Sequence, residues 1–147
     1  MSTPALNARE ITDFLEEIWP GVTGSMTVEA VSDRHARVRS IVTADRLRPG
    51  GIVSGPVLMA LADTAVWVAV LSVVGRVAMT VTVDLNIHFL RPAPHADLVA
   101  EARLLKIGHR LAVGDVLIYS DHDPDPVAHA TVTYAIPPRH DESDRHT

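Results

Sequence analysis

One carboxylate lies where carboxylates are rarely kept. Asp63 interrupts the run Pro56 to Val74, which is otherwise almost wholly apolar, and its near neighbours are Leu61, Ala62, Ala65 and Val66. Such surroundings should partly desolvate it, and an acidic side chain held there needs either a local partner or a task. A carboxylate so placed can take a proton from water or attack an electrophilic carbon itself. The competing reading is an aspartate that merely caps or pairs locally.

Other reactive residue types narrow the chemistry. The chain has no cysteine, which removes disulfides, thiolate metal sites and a cysteine nucleophile together. It has eight histidines, and His122, Asp123 and Asp125 lie close together, with His140 and His146 near the C-terminus. None has helix-spaced ligand geometry of the His-Glu-x-x-His kind, so no metal site is expected. There is no Gly-x-Ser-x-Gly elbow and no phosphate-cradling loop. The net charge of −5 argues against a nucleic-acid partner, which wants a basic face.

The elements that must position Asp63 can be read from the spacing of apolar residues. A helix is expected from Ser54 or Gly55 to near Gly75, with Ser54 as N-cap and Pro56 in the first turn, where no backbone donor is needed. About 20 residues would run roughly 30 Å. That is long enough to span a bilayer. The aspartate inside it and the amphipathic segments around it favour the buried core helix of a protein without a membrane partner.

Upstream, Ile11, Phe14, Leu15, Ile18 and Trp19 mark one face of a short helix, opened by an Asn7/Glu10 capping box and stopped by Pro20-Gly21. Period-two alternation from Met26 to Val42 predicts a hairpin turning at Ser32–His35, followed by a loop from Ala44 to Ser54. After the long helix, Met79, Val81, Val83, Leu85, Ile87 and Phe89 are expected on one face of a strand. Thr80, Thr82, Asp84, Asn86 and His88 are expected on the other. Three more strands follow: 98–105, 111–119 and 127–136.

This order predicts an α+β fold in which an antiparallel sheet wraps one long helix. With 47% hydrophobic but only 4% aromatic residues, the core must be mostly aliphatic. The 147 residues suit one domain, 7–136, between a loose lead at 1–6 and a charged tail at 137–147. The polar N-terminus carries no signal-peptide core, so a cytoplasmic location is expected.

The segment Gly50-Gly51-Ile52-Val53-Ser54-Gly55-Pro56, followed by Leu58 and Ala60-Leu61-Ala62-Asp63-Thr64-Ala65, resembles the signature of PaaI-like acyl-CoA thioesterases of the hot-dog fold. Thr82 to Pro92, Asp97 to Ala102 and Lys106 to Arg110 resemble the family's later strands in the correct order, so the likeness covers roughly residues 25–136. Two departures stand out. The family's His-Gly-Gly is Ser54-Gly55-Pro56, and Arg48 lies near the position of an upstream asparagine.

The resemblance implies hydrolysis of a small aryl- or medium-chain acyl-CoA, with coenzyme A as part of the substrate and no further cofactor. It implies Asp63 as base or nucleophile, the Gly55 N–H as oxyanion donor and Thr82 as a water-orienting hydroxyl that meets Asp63 of a partner subunit. Ser54, Pro56 and Asn86 would contact substrate. Arg91, Lys106, His109 and Arg110 would meet the phosphates. A homodimer assembling into a homotetramer is implied as well. Two alternatives stay open: a hot-dog hydratase or dehydratase, with His88 approaching in space, and a non-catalytic acyl-CoA-binding protein.

Overall fold

A computed structural model describes residues 3–138. The first helix, α1 (Ala8–Ile18), opens on the expected capping box. Asn7 Oδ1 accepts from the Glu10 N–H at 2.9 Å, and Glu10 Oε1 accepts from the Asn7 N–H at 3.2 Å. Its buried face is Ile11, Phe14 and Leu15. The lead before it is not loose throughout. Leu6 is a core residue, its apolar side chain buried, and the Ala5 N–H finds an acceptor on the long helix, Ser72 O at 2.8 Å. Of the expected tail, residues 139–147 lie outside the described residues.

The hairpin β1 (Met26–Ser32) and β2 (His35–Ser40) turns at Asp33-Arg34, where Arg34 takes a positive φ of 63°. The segment expected as a plain loop holds a 3-10 turn, Ala44–Arg46, and a small ladder of β3 (Leu47–Arg48) with β4 (Ile52–Val53). Two consecutive positive-φ glycines, Gly50 and Gly51, close it.

The long helix, α2 (Gly55–Val74), has the expected bounds. Ser54 occupies the N-cap position, yet its side chain makes no capping bond. The remaining strands are β5 (Val81–Phe89), β6 (Leu98–Ile107), β7 (Leu111–Ser120) and β8 (Pro126–Ala135). All pair antiparallel in one sheet of order β1-β2-β6-β7-β8-β5, leaving β1 and β5 at the edges.

Small residues let the helix lie close to the sheet. The inner face carries Ala100, Ala102, Ala112, Gly114, Ala128 and Ala130, all fully covered except Gly114, which is also buried. A Cβ added at Gly114 would lie 2.6 Å from Val66 Cγ1, so only glycine permits the observed approach. From Leu61 to Ser72 the apolar sides of α2 are mostly covered by the sheet and by α1, as the core helix of the fold, whereas Pro56, Met59 and Ala60 in its first turns are exposed.

A bulge overturns the expected faces of β5. Thr82 pairs with Tyr134 and Asp84 with Thr133, so Val83 is an extra residue without a partner of its own. Because the side-chain period in a strand is two, one inserted residue reverses the facing of all that precedes it. Thr82 therefore faces α2 together with Leu85 and Ile87. Asn86 and His88 lie on the opposite face, opposite Thr131 and His129.

Candidate active site

Asp63 lies on the face of α2 that meets the start of β5 and the end of β8. The Thr82 hydroxyl donates to Asp63 Oδ1 at 2.7 Å. The Tyr134 hydroxyl lies 2.7 Å from the same Oδ1 and 2.9 Å from the backbone oxygen of Asp63. Both hydroxyls thus converge on one carboxylate oxygen, and among the described residues Oδ2 receives no donor. No cation pairs with this carboxylate among the described residues either. The resemblance sets Thr82 against Asp63 of a partner subunit; the structure sets it against Asp63 of its own chain, because the bulge at Val83 turns it inward.

The next helical turn repeats the arrangement. Trp67 Nε1 donates to Thr80 Oγ1 at 2.8 Å, and Thr80 in turn donates to Val77 O at 3.2 Å. Four residues of helix advance about 6 Å and two residues of strand about 6.6 Å, so Asp63/Trp67 and Thr82/Thr80 form matched rungs. The second rung is buried and fixes how α2 lies against the strand that carries Thr82.

Burial pushes the Tyr134 phenol well above its ordinary range, and the neighbouring Asp63 charge pushes the same way. Tyr134 is therefore a hydroxyl donor at any neutral pH. Sequence reasoning missed it. A signal was present: the chain has two tryptophans and two tyrosines, and three of these four, Trp19, Trp67 and Tyr134, surround Asp63.

Two pockets meet at the carboxylate. One, of about 380 Å³, is walled by Ile18, Trp67, Met79, Val81 and Thr82. The other, of about 420 Å³, is lined by Gly21, Val22, Met26, Ala60 and Thr64. Trp19, Asp63, Trp67 and Tyr134 border both. No histidine lines either one among the described residues, and His88 is on the far face of β5, away from Asp63 of its own chain.

The other expected site residues are elsewhere. Gly55 is eight residues before Asp63, roughly 12 Å along the helix. It borders a separate pocket of about 510 Å³ with Arg48, Phe89, Leu90 and Arg91. Ser54 and Pro56 flank it. Arg91 is not a free cation: Nη2 lies 2.6 Å from Asp123 Oδ2 and also binds Asp125 O, and this contact holds the Asp123 carboxyl below its usual range. The loop DHDPDP, read as a simple turn, folds back onto the end of β5 and engages it. Lys106, His109 and Arg110 are exposed at the β6–β7 turn, where His109 and Arg110 border a pocket with Val74, at the other end of α2. Asn86 points away from the Asp63 pockets.

Asp63 and Thr82 fall inside a recognised family region: the thioesterase superfamily model matches residues 50–127. The chain belongs to the thioesterase superfamily. Tyr134 lies beyond the matched segment. A candidate esterase of Halobacterium salinarum is 35% identical over 104 residues, 67% of this chain and 68% of its own length. A solved candidate thioesterase from a Silicibacter species is 40% identical, with a TM-score of 0.84 over 92% of this chain and 94% of that one. Another, a phenylacetic acid degradation-related protein of Ralstonia eutropha, is 27% identical with a TM-score of 0.75, covering 84% and 98%. This thioesterase-superfamily chain is a hot-dog-fold enzyme of the thioester hydrolase class, with PaaI-like proteins among its structural neighbours.

Proposed function

We propose that the chain hydrolyses an acyl-CoA thioester, with Asp63 as the general base. The observation that carries this reading is the one-sided fastening of the carboxylate. Thr82 and Tyr134 hold Oδ1, Oδ2 receives no donor among the described residues, and Asp63 lines two pockets with no cation paired to it among those residues. Thr82 spends its proton on Asp63, so its oxygen lone pairs can accept a hydrogen bond from the water that Oδ2 deprotonates.

The oxyanion donor in this reading is Gly55, whose N–H at the helix start has no intrahelical acceptor and carries the positive end of the dipole. One chain holds it too far from its own Asp63. A second copy supplies it. Gly55 lies against Phe89 at the C-terminal end of β5, and Asp63 lies against Thr82 at the N-terminal end. Two copies joined antiparallel along β5 would set the Gly55 end of one beside the Asp63 end of the other. Exposed Val81, Val83 and Phe89 on this edge strand support such pairing. Two such dimers would form the tetramer that the resemblance implies.

Coenzyme A is the favoured thiol, with the phosphates at Lys106, His109 and Arg110 of a second copy; these make no ion pair among the described residues, and in one chain they lie at the Val74 end of α2, away from Gly21 and Ala60. Ser54, with its hydroxyl unused in capping, and Pro56 would border the thioester. The cell compartment we favour is the cytoplasm. The test is thiol release from a panel of acyl-CoA thioesters by wild type and Asp63→Asn. Turnover that collapses in the variant supports the reading. Equal rates remove Asp63 from the mechanism, and saturable binding without turnover makes the chain an acyl-CoA-binding protein.

A further inference from the structure

We propose that Trp19 is a specificity-determining residue, whose indole closes the acyl lobe of the pocket and sets the longest acyl group the enzyme takes. The inference rests on the thioesterase reading above. A thioester has two arms leaving its carbonyl carbon, one acyl and one thiol. Two pockets meet at Asp63, so a carbonyl placed at the carboxylate can send one arm into each. The lobe walled by Ile18, Trp67, Met79 and Val81 is the apolar one and takes the acyl arm. The lobe along Gly21, Ala60 and Thr64 takes the thiol arm.

Trp19 borders both lobes, yet the residue is 61% exposed, so core packing does not account for it. Its backbone is nevertheless firmly held. The Trp19 N–H caps α1 on Leu15 O at 2.9 Å, and its carbonyl accepts from the Val22 N–H at 3.0 Å. The turn beyond it is tied back to the helix by Glu16, whose carboxylate accepts from the Gly21 N–H and the Thr23 hydroxyl. Those two donors, Thr23 first, hold the Glu16 carboxyl below its ordinary value. A bulky exposed ring on a braced backbone is what a partition needs. Flexible side chains at the same place would yield to a longer acyl group.

The experiment compares wild type, Trp19→Phe and Trp19→Ala on straight-chain thioesters from butyryl- to palmitoyl-CoA, with the oligomeric state measured in parallel. Trp19→Ala is expected to raise the kcat/KM ratio of lauroyl- over butyryl-CoA by about tenfold or more, the discrimination a pocket wall exerts on added methylenes. Trp19→Phe should fall between. An unchanged ratio overturns the proposal. So does a uniform loss at every length with a changed oligomeric state, which would make the indole an interface group. Asp63→Asn, run beside them, separates the two readings: full activity there sinks the mechanism while leaving the length profile interpretable. If wild type turns nothing over, the chain-length dependence of acyl-CoA Kd for wild type and Trp19→Ala decides. Diverging profiles support the partition and parallel ones overturn it.

Discussion

Thr82 and Tyr134 face one another across the β5–β8 ladder, and their hydroxyls meet at the same oxygen of Asp63. A carboxylate gripped through one oxygen has its rotation stopped and its other oxygen aimed. The rung below, Trp67 to Thr80, keeps helix and strand from sliding past each other. The geometry of the proposed base is thus a property of how α2 docks on an edge strand.

Tyr134→Phe removes the donor and keeps the ring. We expect kcat to fall about 10- to 100-fold with KM little changed, because orientation rather than binding is lost. Stability should fall by about 1 kcal/mol for the deleted bond. The same residue predicts an alkaline signature. Its folded value is raised above the ordinary 10.0, so above that pH the unfolded chain releases a proton that the native state retains. Stability is then lost as pH rises from about 10 upward. Melting curves across alkaline pH should show a smaller slope in Tyr134→Phe than in wild type; equal slopes would contradict the assignment.

Thr82 separates hydroxyl from shape. Thr82→Val is nearly isosteric and should lower kcat roughly tenfold or more, whereas Thr82→Ser should recover most of the loss. Steady-state kinetics on the three proteins is enough. A fully active Thr82→Val would mean that Tyr134 alone positions the carboxylate.

The sequence is most informative where punctuation is strong. Ser54, Gly55, Pro56 and Gly75 bracket α2, and Asp63 stands out because a charge in an apolar helix is conspicuous. It is least informative where one residue changes a count. The bulge at Val83 leaves no mark on period-two alternation, so alternation alone puts Thr82 on the wrong face. Tyr134 lies 71 positions from Asp63, and no local pattern joins them. Arg91 reads as a free cation because its acceptors, Asp123 and Asp125, are in a turn whose direction only the folded chain reveals.

Gly114→Ala tests the helix–sheet approach that all of this depends on. The new methyl would lie 2.6 Å from Val66 Cγ1 and 3.1 Å from Cγ2, and a β-branched side chain has few rotamers in which to retreat. We expect a loss of about 1–3 kcal/mol, read as a lower Tm. Adding Val66→Ala should recover part of it, since the two changes share one contact. Simple additivity of the two losses would show that the clash is relieved elsewhere.

Gly55→Pro tests the oxyanion donor and the shared site together. Proline is accepted at the first helical position and deletes only the N–H, while Ser54 already has the extended backbone that a following proline requires. The nearest obstacle is the Phe89 ring, 3.3 Å from where a β-carbon would sit, so Gly55→Ala serves as the steric control. Loss of one oxyanion donor should cost about 10²- to 10³-fold in kcat, with the alanine variant much milder. Mixing then locates the donor. Neither Gly55→Pro nor Asp63→Asn should be active alone. Unfolded together and refolded, they can form mixed dimers in which one site combines an intact Asp63 from one chain with an intact Gly55 from the other. Recovered activity in the mixture places the two groups on different subunits. Val83→Lys, which sets a charge on the edge strand, should abolish both the dimer and this recovery. No recovery from dimers proven to be mixed would return the whole site to a single chain.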